Sequence, residues 1–135
     1  MQIQIKQKSG EKMLKNFFEK HSDNFKVVNP TKYYTYGKKY HKSDNEVFRF
    51  DLRKVKKSDV VLVNLNDIRK SIRTCIEVYE AHKSDIPVIG FLDEELPIEA
   101  MINLIHPWIY CCVDRIETGK ESMDRACRYI KEYYN

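Results

Sequence analysis

The chain has 135 residues, of which 42% are hydrophobic and 33% charged, so we predict one globular domain spanning residues 1–135. Only four glycines and four prolines are present, and no apolar run approaches the roughly 18 residues needed to cross a bilayer. The N-terminal segment lacks the apolar stretch of a signal peptide. These features exclude a collagen-like or low-complexity chain, and they predict a cytoplasmic protein with no membrane partner.

The positive charge is concentrated in the first part of the chain. Residues 1–60 hold 15 Lys/Arg against 7 Asp/Glu, whereas residues 61–135 hold 9 against 13. A basic half can be a nucleic-acid footprint. Its lysines are scattered, however, and no aromatic-interleaved binding motif accompanies them. We therefore predict a solvated surface that attracts small anions, and no nucleic-acid partner.

Apolar runs alternate with amphipathic stretches from end to end. The patterns predict strands at residues 2–6, 25–28, 60–65, 86–92 and 108–113, and helices at 11–21, 44–57, 71–83, 97–105 and 118–134. Strands that alternate with helices indicate an α/β fold with a doubly wound parallel sheet and helices on both faces. Ligands bind such sheets at the carboxyl ends of the strands, so the loops after residues 6, 28, 65 and 92 should carry the function.

Asp51 is a charged residue in an apolar position. At 100° per residue it falls inside the apolar arc of its helix, between Val47 and Val55. A carboxylate there loses solvation at a cost of several kcal/mol unless it is paired or faces a cavity. The sequence leaves two interpretations open: a buried ion pair with Arg53, Lys54 or another neighbour, or a carboxylate that belongs to a site.

The helix predicted at 71–83 follows the most buried strand and opens with polar side chains. Free N–H groups at a helix start attract anions, and Ser71, Arg73 and Thr74 add donors to them. Simple N-capping by Ser71 is the alternative. Glu77 lies off the apolar Ile72/Ile76/Tyr79 stripe, which is typical of a solvated glutamate, yet its place in the second turn suits a site residue.

The remaining candidate motifs give weaker indications of function. His106 precedes Pro107 in a loop, which is typical of a turn residue. The cysteines Cys75, Cys111, Cys112 and Cys127 form no C-x-x-C motif, so we predict reduced packing thiols and no metal site. No glycine-rich dinucleotide motif or phosphate-binding loop motif is present, and we predict no cofactor.

In its ordered series of motifs the chain resembles the nucleoside 2-deoxyribosyltransferase family. The series runs from Val27-Val28-Asn29-Pro30 through Phe50-Asp51-Leu52, Ser58-Asp59-Val60-Val61-Leu62 and Thr74-x-x-Glu77 to Ile86-Pro87-Val88-Ile89. The spacing is the specific part, since Asp51 precedes Asp59 by eight residues and Asp59 precedes Glu77 by eighteen. The resemblance covers roughly residues 25–91 and implies five parallel strands in the order 2-1-3-4-5, as in Rossmann- or flavodoxin-like folds.

The resemblance also implies an activity at the N-glycosidic bond of a nucleoside or nucleotide. Glu77 matches the family glutamate that attacks the anomeric carbon to form a glycosyl-enzyme ester, and Asp51 matches the aspartate beside base and sugar. Homo-oligomers, dimers or multiples of them, with sites shared between subunits are implied as well. A relative that binds or sequesters nucleotides without turnover is the alternative function.

Three positions depart from the transferase pattern. Ser71 stands where transferases carry aspartate, and a related branch, the 2′-deoxynucleoside 5′-monophosphate N-glycosidases, carries a phosphate-binding serine there. Arg73 replaces a usual glycine, where it either binds phosphate or obstructs the pocket. The first-strand turn is altered, and Ser9 and Gly10 are its candidate phosphate contacts. Asn64, at the end of the strand predicted at 60–65, completes the predicted substrate-binding set.

Overall fold

The computed structural model describes residues 2–6, 26–28 and 42–134, and it describes side chains within 42–134. The predicted helix at 11–21 and the candidate residues Ser9 and Gly10 lie outside these residues. The strands are β1 (Gln2–Lys6), β2 (Lys26–Val28), β3 (Val60–Asn64), β4 (Val88–Leu92) and β5 (Arg115–Thr118). The helices are α1 (Asp44–Lys56), α2 (Ile72–Lys83), α3 (Ile98–Ile105), α4 (Pro107–Cys112) and α5 (Ser122–Tyr134), with a short 3-10 helix at Ile68–Lys70.

The sheet is parallel, and its side chains are described for three strands, β3, β4 and β5. Val61 of β3 lies beside Val88 of β4, and Ile89 of β4 lies beside Arg115 of β5. Backbone pairing continues from β3 to β1 and from β1 to β2, which gives the order β2-β1-β3-β4-β5. Two layers of helix enclose the three-stranded part, so its inner strands are buried on both faces.

The five-stranded sheet predicted from sequence needs correction, because its fifth strand was placed wrongly at residues 108–113. That apolar run forms α4, which begins with Pro107 and has His106 as N-cap. Ile109 and Cys112 are buried one turn apart while Trp108 is exposed, which is a helical pattern. The true last strand, β5, has the sequence RIET, with three polar residues of four, and its apolar signal is too weak to stand out.

Two apolar clusters hold the helices on the sheet. On one face, strand residues such as Val61 and Val88 pack with Val55 of α1 and Val78 of α2, together with α3 and α4. On the other face, Val60, Leu62, Ile89 and Phe91 pack with Ala126, Cys127 and Ile130 of α5. Full burial of each Val, Leu or Ile side chain stabilises the fold by about 1.5–3 kcal/mol. The sheet therefore forms a rigid base for the loops and helix starts at its carboxyl edge.

Two local predictions, the Ser43 cap and the His106 turn, are confirmed. The Ser43 side chain caps α1 by accepting a hydrogen bond from the Glu46 N–H at 3.2 Å. His106 is a turn residue with φ of 99°, and its Nδ1 accepts from the Trp108 N–H at 3.1 Å. None of the helices described within residues 42–134 is long and apolar enough to span a membrane.

Candidate active site

A cleft of about 280 Å³ lies between α1 and α2. Its walls are mainly apolar and its floor is charged. The lining side chains are Asp44, Val47, Phe48, Asp51 and Leu52 from α1, and Ile72, Arg73, Ile76 and Glu77 from α2. An apolar cleft with a few convergent polar groups is the usual form of a small-molecule site.

The fold places this cleft at the functional edge of the sheet. Every lining residue that the structure describes belongs to the first nine residues of α1 or the first six of α2. In a parallel α/β sheet the connecting helices run back against the strands, so their N-terminal halves lie near the strand carboxyl ends. The cleft therefore occupies the region where open α/β sheets bind ligands.

Two buried carboxylates form the floor of the cleft. Asp51 from α1 is 4% exposed and Glu77 from α2 is 3% exposed. One guanidinium joins them, because Arg73 Nη2 contacts Asp51 Oδ2 while Arg73 Nε donates to Glu77 Oε1 at 3.2 Å. The Arg73 side chain is itself 50% exposed, so the bridge extends from the interior to solvent.

The bridge explains how two acidic side chains tolerate burial so close to each other. A buried carboxylate loses hydration worth several kcal/mol, which is recovered only through an opposite charge and hydrogen bonds. Arg73 supplies both to each carboxylate. The sequence left two interpretations of Asp51 open, a buried ion pair and a carboxylate that belongs to a site. In the structure Asp51 forms an ion pair and also lines the cleft. The partner that the structure shows for Asp51 is Arg73, a neighbour in the fold that lies 22 residues away in sequence.

Glu77 is buried, which corrects the pattern-based interpretation of α2. The apolar stripe of this helix, Ile72, Ile76 and Tyr79, is exposed, with Ile72 at 76%. The buried face instead consists of Glu77, Val78, Glu80 and Ala81. Ile72 and Ile76 line the cleft, so the stripe that resembled core packing forms a wall of the candidate site.

Ser71 and Thr74 lie at the start of α2, outside the set of side chains that line the cleft. Ser71 Oγ accepts a hydrogen bond from the Thr74 N–H at 3.3 Å and shares another with Thr74 Oγ1 at 2.7 Å. Ser71 is therefore the N-cap of α2, which confirms the capping interpretation. Arg73, one turn ahead of Glu77, contacts the carboxylates of Asp51 and Glu77.

Asn64 is engaged at the carboxyl end of β3, away from the cleft lining. Its Oδ1 accepts from the backbone N–H and the side-chain amide of Asn66, at 2.9 and 2.7 Å. Asn66 Oδ1 in turn accepts from the Asp93 N–H at 3.0 Å. The two asparagines therefore tie the ends of β3 and β4 together.

Burial suppresses thiol chemistry in three of the four cysteines. It raises the pKa of Cys127 to about 12 and also raises the pKa values of Cys75 and Cys112. These three side chains therefore remain protonated thiols at neutral pH. Within residues 42–134 no three His, Cys, Asp or Glu side chains are placed to hold a metal ion.

The residues that sequence reasoning missed are the apolar walls and the bridging role of Arg73. Phe48, Ile72 and Ile76 line the cleft, although their spacing is that of packing residues, because periodicity does not distinguish a core face from a cleft wall. The i, i+4 spacing of Arg73 and Glu77 was an available signal, because that spacing brings side chains together on one helix face. The contact from Arg73 to Asp51, 22 positions away, required the fold.

The fold and site together define an α/β protein with a carboxylate-floored cleft at the carboxyl edge of its sheet. The chain is similar in structure to a conserved protein from Enterococcus faecalis V583, with a TM-score of 0.73 and 12% sequence identity. The similarity covers 95% of this chain and 97% of that one, and at this identity it concerns the fold. No protein-family model matches the chain, and no curated protein matches it.

Proposed function

We propose that this chain cleaves or transfers at the N-glycosidic bond of a nucleoside or its 5′-monophosphate, with Glu77 as the nucleophile. The observation that carries the proposal is the convergence of two buried carboxylates on the floor of one apolar cleft. Glycosidic chemistry uses such a pair, one to meet the developing positive charge at C1′ and one to handle protons. The resemblance to nucleoside 2-deoxyribosyltransferases supports the same assignment.

The proposed reaction has two displacements. A Glu77 oxygen bonds to C1′ as the C1′–N bond breaks, and the bond's electron pair leaves with the base. The base takes up a proton that comes from solvent water and is passed on by Asp51. Water or a second base then bonds to C1′ and gives up a proton, and the ester to Glu77 breaks. Between the two displacements the sugar is bound to the enzyme as an ester of Glu77. The reaction involves no change of oxidation state and therefore needs no redox partner.

A substrate panel tests this proposal. Wild-type protein is incubated with purine and pyrimidine ribo- and deoxyribonucleosides and their 5′-monophosphates, with and without an acceptor base, and free base is measured by chromatography. We expect base release from at least one substrate, dependent on Glu77. A complete absence of release across the panel would contradict the enzymatic assignment.

A second function, nucleotide binding without turnover, is favoured by one observation. Arg73 pairs with Glu77 and Asp51, and it replaces the glycine usual in the transferases. A carboxylate that stays paired is a weaker nucleophile. Isothermal titration calorimetry with the same panel separates the two functions, because a binding protein gives heat of association with an unchanged nucleotide recovered afterwards.

The residue at position 71 should set the preference for phosphate. We expect Ser71→Asp to preserve the helix cap, because aspartate is an equally good N-cap, and to weaken a 5′-monophosphate through charge repulsion while sparing the bare nucleoside. The ratio of kcat/KM for the two substrates is the measurement. Ser71→Ala provides the comparison, since it removes the hydroxyl and about 1 kcal/mol of capping without adding charge. An unchanged ratio in Ser71→Asp would exclude phosphate binding at this helix start.

We also propose a cytoplasmic homo-oligomer, a dimer or a multiple of one. Large aromatic side chains are exposed on two helices: Trp108 of α4 is 80% exposed, and Tyr133 of α5 stacks on Tyr129 with ring centroids 5.4 Å apart. Such residues are enriched at protein interfaces. Light scattering should give at least twice the 16.2 kDa chain mass. A mass equal to one chain at micromolar concentration would contradict this.

A further inference from the structure

Arg73 makes contacts with two carboxylates that the sequence did not predict. Its guanidinium crosses the floor of the cleft, from Glu77 on its own helix to Asp51 on α1. We propose that Arg73 is a positioning residue that orients the Glu77 carboxylate and holds it in register with Asp51. This inference rests on the proposed function, because it concerns the nucleophile of that reaction.

The geometry at Glu77 fits an orienting contact. Arg73 lies four residues before Glu77, so the two side chains meet on one face of α2 without distortion of the helix. Nε donates to Oε1, one of the two carboxylate oxygens, at 3.2 Å. This hydrogen bond restricts the rotation of the Glu77 carboxylate about its Cγ–Cδ bond, which is what an orienting contact does.

The charges around the cleft fit the same role. Among the lining side chains that the structure describes, Asp44, Asp51 and Glu77 are acidic and Arg73 is the only cation. A glutamate nucleophile must be ionised, and ionisation of a second buried carboxylate nearby opposes this. A guanidinium between the two, presenting separate N–H donors to each, relieves the repulsion and fixes their distance.

Arg73 links two helices, whereas an ion pair within α2 alone would not set the position of Glu77 relative to α1. Asp51 lies on α1, 22 residues from Arg73 in sequence, whereas Glu77 lies on α2, four residues from Arg73. Loss of the guanidinium would remove one contact from each carboxylate at the same time. Small displacements of a reacting group, on the order of 1 Å, cost about 10²-fold in rate.

The kinetic test compares Arg73→Met and Arg73→Lys with wild type on the substrate that the wild type turns over fastest. We expect Arg73→Met to lower kcat by about 10²-fold with KM changed by less than about threefold. Arg73→Lys should recover part of kcat, because lysine keeps the charge and lacks the two-directional donors. Arg53→Met, at an exposed position of α1, is the control for loss of an arginine and should match wild type. An unchanged or increased kcat in Arg73→Met would overturn the proposal and identify Arg73 as an obstruction.

A second measurement separates failure of this inference from failure of the proposed function. The melting temperature is measured for Glu77→Gln in wild type and in the Arg73→Met background. If Arg73 holds Glu77, the two substitutions are coupled, and the shift caused by Glu77→Gln differs between backgrounds by several degrees. Additive shifts would overturn the positioning role. Coupled shifts with no base release from any substrate would overturn the proposed function. They would also overturn a role of Arg73 in catalysis, and would show only that Arg73 and Glu77 interact.

Discussion

Replacement of Glu77 with glutamine is expected to abolish base release while the protein remains folded. Glutamine has the shape of glutamate and keeps an oxygen that can accept from Arg73 Nε, but its amide does not attack C1′. Loss of a covalent nucleophile costs several orders of magnitude in rate, which is more than about 4 kcal/mol in the barrier. Free-base release over hours, with circular dichroism as a check of folding, measures both parts of the expectation.

The burial of Glu77 decides which substitution is informative. A solvated glutamate, which the sequence pattern indicates at this position, would contribute little packing, and Glu77→Ala would then leave the fold intact. At 3% exposure, alanine instead leaves a cavity beneath Arg73 and an unbalanced charge. The Glu77→Ala variant should therefore be inactive and also less stable. The Glu77→Gln variant separates the loss of the nucleophile from the loss of stability.

Glu80 offers a matched control for Glu77. It lies on the same helix, is also buried, and pairs with two lysines, Lys56 at 3.3 Å and Lys83 at 3.4 Å. It does not line the cleft. Glu80→Gln should lower the melting temperature and preserve turnover. If Glu77→Gln keeps wild-type base release, Glu77 is not the nucleophile, and the resemblance reflects ancestry without activity.

Replacement of Asp51 with asparagine is expected to slow base release by about 10²–10⁴-fold, as for a group that handles protons. Asparagine fills the same volume and retains an oxygen for Arg73, so the cleft should keep its shape. The effect should appear in kcat more than in KM. The rate is measured with the same substrate as for Glu77→Gln.

Asp67→Asn is the control for this substitution. Asp67 is exposed and has a φ of 56°, a left-handed conformation that asparagine tolerates well. It should match wild type in rate and stability. If Asp51 has only a structural role, Asp51→Asn lowers the melting temperature and leaves the rate unchanged, and the proton-handling assignment is then wrong.

The site was predictable from sequence where a residue conflicted with its own surroundings. Asp51 sits inside an apolar arc, and that conflict alone marked it for an ion pair or a cleft. Glu77 gave no such signal, because the apolar stripe beside it faces outward and the helix buries its acidic side. Periodicity reports that a face is apolar; it does not report what covers that face.

The fold was predictable where strands are continuous and apolar, and less so at the edge. β3 and β4 are runs of buried aliphatic residues, and both were located within two residues at each end. β5 is polar and was missed, while the apolar run before it became α4 because Pro107 and its cap His106 start a helix. Backbone capping outweighed strand propensity there.

The two ends of the α1–α2 pair are fastened by forces with different ranges. On the side of the carboxyl ends of α1 and α2, Val55 and Val78 belong to the same apolar cluster. Apolar contacts of this kind are lost as soon as a gap opens between the side chains. At the cleft end, Arg73 reaches Asp51 through charge attraction, which weakens only gradually with separation. The pair is therefore held by close apolar contact at one end and, at the cleft end, by an attraction that persists across small separations.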